Sequence, residues 1–136
     1  MSLLALNLTV AGVLLVSLGV LHIALPAVLG WHRELAAASP LTREVSYVHC
    51  FFIGLSCLLW GLLPLTAGRQ LLQPGPVTRL VLTGAVAFWA SRLAVQLVVF
   101  NRHARRSAAW LILSIAGTVL WGYLTGIWAW TLAAQH

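Results

Sequence analysis

Residues 3 to 29 read LLALNLTVAGVLLVSLGVLHIALPAVL, a stretch without a single charged side chain. A helix rises about 1.5 Å per residue, so a run of this length exceeds the ~20 residues that cross a ~30 Å hydrocarbon layer. Membrane strands need only ~9–11 residues and alternate in polarity, and this run does neither. A signal peptide would carry a positive n-region and an apolar stretch of at most ~15 residues. The run is therefore expected to be a retained transmembrane helix.

Three further apolar runs follow, beginning near Val45, Val77 and Ala108. With their flanks they predict helices over about 3–29, 40–67, 77–100 and 107–134, in one transmembrane domain covering 1–136. The connections are short, which makes sequential helices antiparallel. The expected fold is all-α: an integral membrane four-helix bundle, up-down-up-down. Local signals set the ends. Gly30 follows the first helix, and Ser39-Pro40 is an N-cap with proline at the first helical position. Gly68 is a candidate C-cap, and Gln73-Pro74-Gly75-Pro76 is a turn that no helix continues through.

Composition agrees. The chain is 61% hydrophobic and 7% charged, against about 25% charged in soluble domains. Disorder needs low hydrophobicity and is excluded. All the positive charge is arginine, for a net charge of +6. Most of these arginines lie in short connections, not on a basic face, so nucleic acid is not an expected partner. The expected partners are the lipid bilayer and a further membrane subunit, either a copy of this chain in a homo-oligomer or a larger complex.

Arginine placement predicts orientation. Arg33, Arg43, Arg102, Arg105 and Arg106 flank the first and third connections, and Arg69 and Arg79 the second. Both termini are then expected outside the cytoplasm, in a bacterial inner membrane. Aromatic belts would place Trp31, Tyr47, Phe100 and Trp110 at the cytoplasmic surface. Trp60, Trp121, Tyr123, Trp128 and Trp130 would sit at the outer one. Cys50 and Cys57 are seven apart on one helix, a rise of about 10.5 Å, too far for a disulfide.

Ionisable groups inside a bilayer are functional candidates by default. Arg92 lies about 12 Å from the end of the third run, and Gln96 shares its face four residues on. His22, His49 and Ser114 come from the other three runs at a similar expected depth. Together they predict a polar layer, with Trp89, Ser46 and Tyr47 at its border.

Two histidines on membrane helices suit bis-imidazole ligation of haem b, with Arg92 on a propionate. The same groups could instead hydrogen-bond a quinone or a lipid headgroup, whose phosphate matches the guanidinium fork. A closed zinc site lacks ligands. The competing reading is a structural or accessory membrane subunit whose polar layer only fixes helix packing. Glu34 and Glu44 are the only carboxylates and lie outside the runs. No catalytic residue is therefore assigned, and no activity of its own is expected. Ser114, Thr118, Gly122 and Gly126 recur every fourth residue, and Thr118, Gly122 and Gly126 form the predicted helix-packing ridge.

Overall fold

A computed structural model describes residues 2–103 and 107–135. Arg105, Arg106 and His136 lie outside the described residues. The structure is all-α. Its elements are α1 (Leu3–Val28), α2 (Trp31–Glu34), α3 (Pro40–Leu71), α4 (Pro76–Val98), a 3₁₀ turn (Phe100–His103) and α5 (Ala108–Ala133). Among the described residues there is no strand. Among the described residues, four helices are long and apolar enough to cross a membrane, with mean hydropathy from 1.5 to 2.3. The chain is thus a small multi-pass membrane protein. Exposed side chains such as Ile23, Leu80 and Val119 are what a lipid-facing surface requires.

The helix ends follow the local chemistry. Ser39 Oγ accepts from Thr42 N at 3.2 Å and begins α3, with Pro40 directly after it. Ser107 Oγ accepts from Trp110 N at 3.3 Å and begins α5. Gly30 ends the first helix in the left-handed region, with φ of 63°. Gly68 does not play the corresponding part for α3. That helix is interrupted at Ala67 (φ −117°, ψ 20°), then resumes and runs to Leu71. Pro64 lies one turn earlier and removes an intrahelical donor from this segment.

The chain forms two compact units, residues 8–68 and residues 1–7 with 69–136. The first is an antiparallel hairpin of α1 and α3, seamed by four glycines. Gly12 faces Gly61, and Gly19 faces Gly54. A Cβ built on Gly61 would lie 2.7 Å from Val16 N and 2.8 Å from Gly12 O. One on Gly19 would lie 2.8 Å from Gly54 O. The backbones touch at both levels, which only glycine allows. The seven-residue spacing, close to two helical turns, puts both glycines of each helix on the same face.

The second unit is an antiparallel hairpin of α4 and α5. Trp89 stacks on Trp121, with ring centroids 5.7 Å apart and planes 8° apart. At the end far from the α4–α5 connection, Arg79 Nη2 donates to Gln135 O at 2.8 Å. Gln135 Nε2 donates to Leu71 O at 3.0 Å. The first turns of α1 join this unit through Tyr123, whose hydroxyl contacts Asn7 O at 3.2 Å and Asn7 Oδ1 at 3.1 Å. Trp121 and Trp128 are buried, so neither belongs to the expected outer aromatic belt. Both are packing residues.

Candidate functional site

His22 and His49 belong to the first unit and line one groove of ≈ 360 Å³ between α1 and α3. Leu25, Trp31, Val45, Ser46, Cys50 and Ile53 complete its walls. The size lies within the ~300–1,000 Å³ usual for ligand sites. Trp31 is held edge-on against Tyr47, with centroids 5.6 Å apart.

The two imidazoles are anchored alike. His22 Nδ1 lies 2.7 Å from Leu18 O, and His49 Nδ1 lies 2.8 Å from Val45 O. A carbonyl oxygen has no proton to give, so each Nδ1 carries the hydrogen and donates it. In a neutral imidazole the Nε2 atom is then left as a lone pair. In that form the two helices offer one Nε2 lone pair each, with the ring orientations set by the preceding turn of each helix. This is the outer-shell arrangement found behind metal-ligating histidines.

Arg92, Gln96 and Ser114 belong to the second unit, which brings them into one polar ladder. Arg92 Nη1 donates to Gln96 Oε1 at 3.5 Å. Gln96 Nε2 donates to Asn101 Oδ1 at 3.1 Å, and Asn101 Nδ2 donates to Thr118 Oγ1 at 3.2 Å. Thr118 Oγ1 then donates to Ser114 O at 2.8 Å. The guanidinium carbon stands 4.4 Å from the Trp121 ring centroid and 5.1 Å from that of Phe100, close enough for cation–π attraction. These contacts give the guanidinium neutral partners where the sequence, short of carboxylates, offered no counter-ion. Gln96 and Ser114 are buried. The ladder depends on Gly117, where a Cβ would come within 3.0 Å of the Gln96 amide.

The predicted packing ridge divides. Thr118 is a rung of the ladder. A Cβ on Gly122 or Gly126 meets nothing within 4 Å among the described residues. Sequence reasoning missed Asn101, which it left in the connection, and Gly117. It also missed the Gly12–Gly61 and Gly19–Gly54 seam, although two glycine pairs at seven-residue spacing are visible in the sequence. Among the described residues, no group of three or more His, Cys, Asp or Glu is placed to hold a metal ion. No family model, curated protein or solved structure matches the chain.

Proposed function

We propose that this multi-pass protein is a small membrane subunit that holds haem b, with His22 and His49 as axial ligands in the α1–α3 groove. The observation that carries the reading is the shared groove with both Nδ1 atoms bound to backbone carbonyls. Two imidazoles are too few for a bare ion, which wants about four protein ligands. They are the full protein complement for a porphyrin-bound iron, whose macrocycle supplies the rest.

The other candidates fit less well. A quinone carbonyl accepts hydrogen bonds, and so does a neutral Nε2 atom, so that pair repels without protonation. A lipid phosphate likewise requires a donor or a cation. His22 and His49, as neutral imidazoles, would hold an iron through these lone pairs directly. In this reading the protein carries electrons or anchors a complex and performs no bond-making chemistry of its own. The arginine bias between connections supports both termini lying outside the cytoplasm, and the short loops with lysine-free arginine usage support a bacterial inner membrane.

A second reading applies to α4 and α5. Their ladder is internally hydrogen-bonded from Arg92 to Ser114, which supports a structural role in fixing the register of that hairpin.

The test is pigment. The full chain, produced with ample haem and purified in mild detergent, should carry about one haem per chain, identified as its pyridine haemochrome. The double variant His22→Ala, His49→Ala should be colourless with the parent's helix content. A parent that purifies colourless and takes up no added haem removes the reading.

A further inference from the structure

We infer that Cys50 is a positioning residue for His22, acting through a carbonyl that Pro26 sets free; the inference rests on the reading of His22 as a ligand. Proline has no backbone N–H, and its ring crowds the carbonyl four residues earlier. In α1 that carbonyl belongs to His22. Without another donor it would be an unsatisfied acceptor at the helix interface, where water is scarce. Cys50 on α3 meets this need: its Sγ lies 3.5 Å from His22 O. A thiol is a weak donor but a small one, and Cys50 is buried.

The same turn of α3 accommodates the side chain. Gly54, four residues after Cys50, would place a Cβ 2.9 Å from His22 Cβ. Residue 22 is therefore held at three points: its Nδ1 on Leu18 O, its carbonyl on Cys50 Sγ, and its Cβ against Gly54. A turn that lacks its backbone hydrogen bond would otherwise be looser and carry the imidazole with it. His49 sits in the unkinked part of α3 with its Nδ1 on Val45 O and needs no such clamp. The device is thus specific to one of the two ligands.

Two readouts on the full chain in nanodiscs test this. The first is the imidazole ¹⁵N spectrum of His22 in haem-free protein, which reports tautomer and hydrogen bonding. The second is haemin affinity by absorbance. Cys50→Ala should shift the His22 resonances, leave those of His49 in place, and weaken haemin about 10- to 100-fold, as expected when an outer-shell partner is lost. Cys50→Ser keeps a donor and should behave as the parent. Adding Pro26→Ala to Cys50→Ala returns a backbone N–H to the carbonyl and should restore both readouts. Unchanged His22 resonances in Cys50→Ala would overturn the inference, as would a Cys50→Ser variant that fails equally. A parent that binds no haemin would sink the haem reading alone, because the ¹⁵N spectra still decide whether Cys50 positions His22.

Discussion

The glycine seam of the α1–α3 hairpin makes a prediction whose sign depends on structure alone. Gly61→Ala should destabilise the protein although alanine is the better helix former. Propensity favours the substitution by about 0.8–1.0 kcal/mol. Against it, the new methyl would lie 2.7 Å from Val16 N and 2.8 Å from Gly12 O. Both are backbone atoms and cannot turn away as a side-chain end could. To reach ordinary contact the helices must part by roughly 0.7 Å, a gap that forfeits a quarter to a half of each dispersion contact it opens. Overpacking costs about 1–3 kcal/mol; against two backbone atoms that cannot turn away the upper end applies, so the net loss after the propensity gain should be about 2 kcal/mol. The assay is reversible unfolding in mixed micelles, titrated with a denaturing detergent and followed by tryptophan fluorescence. A variant as stable as the parent, or more so, would show that the backbones do not meet at this level and would refute the seam.

Gly126→Ala is the matched case on α5: with nothing within 4 Å of the added methyl, it should leave unfolding unchanged or raise stability by up to about 1 kcal/mol, measured in the same assay. Asn101→Leu removes the middle of the polar ladder and leaves Gln96 and Thr118 each short of a partner. It should cost about 1–3 kcal/mol, and pairing it with Thr118→Val should cost less than the sum of the two single changes. Additive costs in that double-mutant cycle would mean that the rungs do not interact.

The helices were legible because the bilayer imposes a simple rule: an apolar run near 20 residues has one economical conformation. Their ends were legible where a side chain or a proline acts locally, as at Ser39-Pro40. The end of α3 was not, since Pro64 and Ala67 produce a kink that continues as helix past Gly68. Candidate polar residues could be found from their cost in lipid, but not their partners. Arg92 finds Gln96 by simple helical spacing, whereas Asn101 joins them only because the 3₁₀ turn folds back over α5. Glycine patterns were the hardest to weigh. Gly122-x-x-x-Gly126 matches a packing motif and has open space beside it. The seven-residue pairs at Gly12, Gly19, Gly54 and Gly61 match no short motif and form the seam. Spacing alone does not say which face of a helix meets a neighbour.

The central claim concerns the lone pairs of His22 and His49. The measurement that bears on it most directly is the electron paramagnetic resonance spectrum of the full chain in nanodiscs after addition of one equivalent of haemin. The account predicts a six-coordinate, low-spin ferric signal typical of two imidazole ligands. It also predicts conversion to a high-spin signal in His22→Ala and in His49→Ala taken singly, because either change leaves the iron with one axial ligand. A spectrum of unligated haemin in the parent, or a low-spin signal that survives both substitutions, would contradict it.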